Sequence, residues 1–211
     1  MRILFLDVDG VLNSDPSKRG GRPMGGVLGV EWEPTACLAE IVRKTGAFIV
    51  LTSTWKRSWG TSWQPGTLRY LTDKLRTFNI EIMGCTTEET PSERGKGIRK
   101  WLEYHGPVEG WAVLDDDIFP DYAQHGILPR LIKTNFYRGG LTQDKIDPCV
   151  DMLNTPPTRN IGCGCCPLRK RGELPDKNTQ VVTNCAEAAC PINRAHRQPE
   201  EKKDEEETKE T

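Results

Sequence analysis

The chain has 211 residues, 36% of them hydrophobic and 28% charged, a balance suited to one folded domain with polar sequence to spare. Lys and Arg number 29 against 30 Asp and Glu, so the net charge of −1 argues against a nucleic-acid binder working through bulk positive charge. Nothing approaches the eighteen consecutive apolar residues that a membrane-spanning helix needs, and the first apolar run, Ile3 to Leu6, is cut by Asp7 and Asp9 before it could serve as a signal-peptide core. A cytosolic location is therefore expected.

Residues 1–154 alternate apolar runs with helical patterns. Arg2–Leu6 (RILFL) predicts a buried strand. Thr35–Lys44 predicts a helix with Cys37, Leu38, Ile41 and Val42 on one stripe, ended by Gly46. Ala47–Leu51 (AFIVL) predicts a second strand, Leu68–Phe78 a helix, and Glu81–Cys85 a short strand. Gly97–His105 reads as a helix, Gly110–Leu114 (GWAVL) as a buried strand, Leu131–Ile132 as a short strand, and Gln143–Leu153 as a last helix. Strands alternating with helices give an α/β domain with a mostly parallel sheet.

From Thr155 the pattern changes. Residues 155–199 are rich in Pro and Cys, show almost no apolar periodicity, and carry seven basic against three acidic residues, a net +4. Residues 200–211 carry seven acids and three lysines, a net −4, and are expected to be a disordered acidic tail. Of eight cysteines, Cys37, Cys85 and Cys149 stand alone among apolar residues and are expected to behave as small buried hydrophobes. The other five, Cys163, Cys165, Cys166, Cys185 and Cys190, have a CxC…CxxxxC arrangement that could hold a structural Zn²⁺ and fold a small basic module, with His196 as a substitute ligand. Free thiols in a disordered tail are the competing reading.

In an open parallel sheet, ligands bind beyond the carboxyl ends of the strands. Here the first predicted strand runs into Asp7-Val8-Asp9-Gly10, the second into Thr52-Ser53-Thr54, and the third long one into Asp115-Asp116-Asp117. So many carboxylates brought to one edge repel unless a cation neutralises them, and oxygen donors without nearby His or Cys favour Mg²⁺. Such a cation beside a carboxylate suits phosphoryl transfer.

These blocks, in this order, resemble the haloacid dehalogenase (HAD) superfamily of phosphohydrolases across residues 1–154. The resemblance implies a Rossmann-like domain without a large cap and an aspartyl-phosphate mechanism: Asp7 as nucleophile, Asp9 as general acid then base, and Thr52 on a phosphate oxygen, with Ser53 as its fallback. Lys96 is the expected cation of the third motif, with Lys56, Arg57 and Lys100 as competitors. Asp7, Asp9, Asp115 and Asp116 are the expected Mg²⁺ ligands, Asp115 the more direct of the last two. Phe5–Asn13, Leu51–Lys56, Leu114–Asp117, Leu131–Thr134 and Gly140–Thr142 further resemble the HAD domains of Swiss Army Knife RNA-repair proteins, which associates the chain with nucleic-acid end processing.

Specificity is expected to come from two stretches. Asn13–Pro34, with Lys18, Arg19 and Arg22, is too short for a folded cap and suits a flap. Trp55, Trp59 and Trp63 lie four apart beside Lys56 and Arg57, which reads either as a base-stacking, phosphate-binding surface or as a turn packed on the domain. The expected function is thus a Mg²⁺-dependent phosphomonoester hydrolase, with nucleic-acid 3′-phosphate ends as one substrate class and nucleotides or metabolites as the other. The competing class is a non-catalytic adaptor working through the Cys-rich tail.

Overall fold

The computed structural model describes residues 1–15, 29–57, 59, 66–87, 90–105 and 108–157. Five parallel strands, β1 (Arg2–Leu6), β2 (Phe48–Leu51), β3 (Ile82–Cys85), β4 (Gly110–Asp115) and β5 (Leu131–Lys133), form one sheet in the order β3-β2-β1-β4-β5. Four helices, α1 (Trp32–Thr45), α2 (Gly66–Arg76), α3 (Arg94–Tyr104) and α4 (Ile146–Asn154), flank it. This is the expected α/β, Rossmann-like architecture. The proposed tail and its zinc ligands, Cys163, Cys165, Cys166, Cys185 and Cys190, lie outside the described residues, as do Lys18, Arg19, Arg22 and Trp63. No helix among the described residues is long and apolar enough to cross a membrane.

The apolar runs form strands because both sheet faces are covered. Successive side chains of a strand point to opposite faces, and β1 divides accordingly. Leu4 and Leu6 join a core with Leu38 and Ile41 of α1, Leu68, Leu71 and Leu75 of α2, and Cys149 and Leu153 of α4. Ile3 and Phe5 join a second core with Ile98 and Trp101 of α3, Tyr122, Ile127 and Leu131. Phe5 meets the rings of Trp101 and Trp111 edge-on, at centroid separations of 5.5 and 6.1 Å. Cys37 and Cys149 are buried and Cys85 is half-buried, all with free thiols.

The starts of α1, α3 and α4 depart from the sequence pattern. α1 begins at Trp32, three residues early, because Pro34 sits in a first turn whose N–H groups need no intrahelical partner. It ends as expected at Gly46, which takes the left-handed conformation (φ +65°) and donates to the Val42 carbonyl. α3 begins at Arg94 rather than Gly97. The Asp121 carboxylate accepts from the amides of Gly95 (3.1 Å) and Lys96 (2.8 Å), capping the helix from 25 residues downstream. α4 begins at Ile146 because Gln143–Lys145 form a 3₁₀ turn before it. Its last carbonyls are satisfied by the buried Arg130, whose Nη1 donates to Met152 O (2.8 Å) and Thr155 O (2.9 Å).

The strand order puts β1 in the centre with β2 on one side and β4 on the other. Leu6 is level with both Leu51 and Leu114, so the residues that follow, Asp7, Thr52 and Asp115, leave the sheet side by side. The chain reverses its direction of growth between β1 and β4, which is where a crevice opens in sheets of this kind.

Candidate active site

Asp7 is the first residue beyond β1. Its amide donates to Leu114 O (3.0 Å), which ties the end of β1 to the end of β4. Asp115 ends β4 and Asp116 follows it. Oxygen atoms of Asp7, Asp115 and Asp116 all lie within 4.8 Å of one another. Asp115 is fully buried, Asp7 is 6% exposed, and Asp116 is half-buried.

The cation between Asp7 and Asp115 is Arg94, at the start of α3. Its Nη1 lies 2.7 Å from Asp115 Oδ2 and 3.1 Å from Asp7 Oδ2. The guanidinium also stacks 4.1 Å from the centre of the Phe119 ring. Burial pulls the Arg94 pKa down, but the charges of Asp115 and Asp7 outweigh it and hold the group well above its usual range. Asp115 is further fixed by the Tyr122 hydroxyl, which donates to Oδ2 (2.7 Å), and by the Asp117 amide, which donates to Oδ1 (2.9 Å). Burial and the Asp115 charge push the Tyr122 hydroxyl pKa well up, so it stays a neutral donor.

Lys96 is not brought to the carboxylates. It lies two residues beyond Arg94, roughly 200° around the helix, and its Nζ pairs with Glu93 (2.7 Å) on the surface. The basic residue that sequence reading passed over is Arg94. Arg94 lies in line with the buried Ile98 and Trp101 (i, i+4, i+7), a stripe that reaches it because α3, capped by Asp121, starts at Arg94.

The other expected residues divide similarly. The Ser53 hydroxyl hydrogen-bonds Asp7, while Thr52 Oγ1 is fully buried and has no hydrogen-bond partner among the described residues. Asp9 is not among the converging carboxylates. Its Oδ2 accepts from Trp55 Nε1 (2.9 Å) and its Oδ1 from Asn13 Nδ2 (2.8 Å). Trp55 is 7% exposed and Trp59 packs against the core, which favours the packed-turn reading for both. Lys56 Nζ donates to Thr86 Oγ1 (2.8 Å), joining the ends of β2 and β3, and Arg57 is exposed. Lys133, at the end of β5, donates to the Asp116 carbonyl (2.6 Å) and holds that residue's backbone.

Gly10 closes the loop. It adopts φ +71°, and a Cβ there would overlap the Asp116 carboxylate. Its amide donates to Asn13 Oδ1 (2.9 Å) and its carbonyl accepts from Thr134 Oγ1 (2.7 Å).

A hard divalent cation fits this cluster. The donors are carboxylate oxygens, Arg94 pairs with two of the three carboxylates while the Lys133 charge acts on the third, and burial raises all three pKa values. Burial, followed by the Asp7 charge, brings Asp115 up to about 7, and the same two causes bring Asp116 up to about 6. For Asp7, burial outweighs the Arg94 charge and the direction is also upward. A carboxyl group whose folded pKa lies above its unfolded value favours folding when protonated, and that contribution is lost as pH rises from about 4 through about 7. The metal-free protein is therefore expected to melt at progressively lower temperature between pH 5 and pH 8. Mg²⁺ competes with those protons, so the rise in melting temperature on its addition should be larger at pH 8 than at pH 5.5, as thermal denaturation at both pH values would measure.

The model of the family described as the HAD domain in Swiss Army Knife RNA repair proteins matches residues 3–146, more than half of the chain and the whole of the site just described. The chain belongs to that family. Neither the curated proteins nor the solved structures contain a match to it. Membership points to HAD-type phosphatase chemistry on a phosphorylated substrate. This family generally uses Mg²⁺, and the acidic cluster has the donors to hold a metal ion.

Proposed function

We propose that the protein is a Mg²⁺-dependent phosphomonoesterase that works through an aspartyl-phosphate on Asp7 and removes 3′-phosphates from nucleic-acid ends. The observation that carries the chemistry is the meeting of Asp7, Asp115 and Asp116 with one buried arginine beside an unpartnered threonine hydroxyl. Asp7, Asp115 and Asp116 are the carboxylates that would hold the metal in this reading, and Asp115 Oδ2 also holds Arg94 in place. Bound there, Mg²⁺ offsets the repulsion between the Asp7 carboxylate and an anionic phosphate.

The chain's own residues supply the rest. Asp7 attacks phosphorus, and Arg94, rather than the expected Lys96, stabilises the charge on the transferring group. The Thr52 hydroxyl donates to a phosphate oxygen, which would satisfy a buried group that otherwise lacks a partner. Asp9 protonates the leaving oxygen and then activates water. The nucleic-acid assignment draws on the family's association with RNA repair and on the short connection from β3 to α3, residues 86–93, too few for a cap domain at that point.

The test is phosphate release from a 3′-phosphorylated oligonucleotide and a panel of mononucleotides, with and without Mg²⁺, with Asp7→Asn as control. Mg²⁺-dependent release from the oligonucleotide, abolished in Asp7→Asn, is the expected result. Release from mononucleotides alone would move the protein to small-molecule turnover, and no release from any substrate would favour the adaptor.

A further inference from the structure

The general acid and base of a phosphomonoesterase must present its carboxyl group at one place in two steps. Asp9 lies in a turn, where an aspartate ordinarily samples several side-chain orientations. Here both of its oxygens are held. Trp55 Nε1–H donates to Oδ2 at 2.9 Å and Asn13 Nδ2–H donates to Oδ1 at 2.8 Å.

Neither donor is loose. The Trp55 ring is 7% exposed within the apolar core, and its backbone amide donates to Ser53 Oγ (3.3 Å). The Asn13 amide cannot flip without losing a bond, because its Oδ1 accepts from the Gly10 amide (2.9 Å) while its Nδ2 serves Asp9. The residue is itself fully buried. A carboxylate offers about four lone-pair positions, so two donors fix its plane and leave others for a reacting proton. The indole nitrogen carries a hydrogen and accepts none, so it can aim Asp9 without relaying its proton.

We propose that Trp55, with Asn13, is a positioning residue that aims the Asp9 carboxyl at the leaving oxygen and then at the attacking water. The proposal rests on the phosphatase reading above. In the first half-reaction protonated Asp9 gives its proton to the leaving oxygen as the bond from that oxygen to phosphorus breaks and the Asp7–phosphorus bond forms. In the second, the Asp9 carboxylate takes a proton from water as the water oxygen bonds phosphorus and the Asp7–phosphate bond breaks, releasing inorganic phosphate.

The two steps make different demands on Asp9, and substrates can separate them. A nucleoside alkoxide is a poor leaving group and needs the acid, whereas p-nitrophenolate leaves without a proton. Trp55→Phe removes the N–H and keeps most of the packing. Of the 3′-phosphorylated oligonucleotide and the mononucleotides, the substrate that wild type hydrolyses fastest serves as the alkoxide case. Its kcat/KM is expected to fall about 10- to 30-fold, part of the roughly 10²–10⁴ that general acid–base catalysis contributes. With p-nitrophenyl phosphate, kcat/KM should fall less than about threefold, while kcat and KM drop together because only the water step is slowed.

Asn13→Ala should repeat the leaving-group pattern. Independently of activity, the indole N–H resonance absent from Trp55→Phe should move in Asp9→Asn and resist solvent exchange in the native protein. Equal losses of kcat/KM on the two substrates, or an indole resonance indifferent to Asp9, would overturn the positioning role. No hydrolysis of either substrate by wild type would overturn the phosphatase reading, and the positioning role with it.

Discussion

Arg94→Met is expected to cost about 3–5 kcal/mol of stability, the range for breaking a buried charge cluster by removing one partner, and to reduce phosphate release about a hundredfold or more. The methionine fills similar space, so the loss is electrostatic: Asp7 and Asp115, both buried, would face each other with no cation between them. Mg²⁺ should restore part of the stability and little of the turnover, since it can take up the carboxylate charge without reaching the transferring group from α3. Lys96→Ala serves as the contrast. Its ammonium meets Glu93 at the surface, so the unfolding midpoint should barely move and activity should stay within about threefold, the size of effect that an exposed ion pair allows. Denaturant unfolding and kcat/KM, measured on both variants, check the pair. The opposite ranking of activities would return the third-motif role to Lys96.

Gly10→Ala is expected to lose about a hundredfold in activity, because misplacing a reactive group by about 1 Å can cost that much. Two effects act together. The positive φ strains any L side chain, a cost of about 1–3 kcal/mol, and the new methyl would overlap the Asp116 carboxylate. Asp116 must then leave its present position. The Mg²⁺ concentration needed for half-maximal activity should rise more than the stability falls, and a metal titration beside an unfolding curve would separate the two. A variant that needs no more Mg²⁺ than wild type would remove Asp116 from the direct ligands.

What the residues announce and what they conceal divides along the range of the forces involved. RILFL, AFIVL and GWAVL read as buried strands because each is a continuous apolar run, and the polar residues after them sit together because parallel strands end on one edge. That much is local chemistry plus one topological rule. The choice of Arg94 over Lys96 is different. It depends on where α3 starts: carried back through Arg94, the helix puts that residue in line with the buried Ile98 and Trp101, and the cap at that start is Asp121, which no local pattern connects to α3. Tyr122 escaped notice for the same reason, since its hydroxyl matters only once folding brings it to Asp115. Trp55 was legible as a packed aromatic, yet its N–H on Asp9 spans 46 positions. Asp9 reads in the sequence as a fourth metal carboxylate. In the fold its side chain accepts from Trp55 and Asn13, and the carboxylates whose oxygens converge are those of Asp7, Asp115 and Asp116.

The central place of β1 also bears on how the protein is made. Its first partner in sequence, β2, follows within about fifty residues, with Ile3 level with Phe48, but its other edge stays bare until β4 is available, where Arg2 is level with Gly110. Closing so long a loop is slow and entropically costly, so β1–β4 pairing belongs to the late part of folding. Asp7 and Asp115 therefore meet only once β4 has joined β1. Their repulsion burdens no earlier intermediate, and a chain interrupted before Asp115 holds only one of the three converging carboxylates. A ribosome-bound fragment should accordingly show no Mg²⁺-dependent protection from proteolysis until the stretch around Asp116 has emerged.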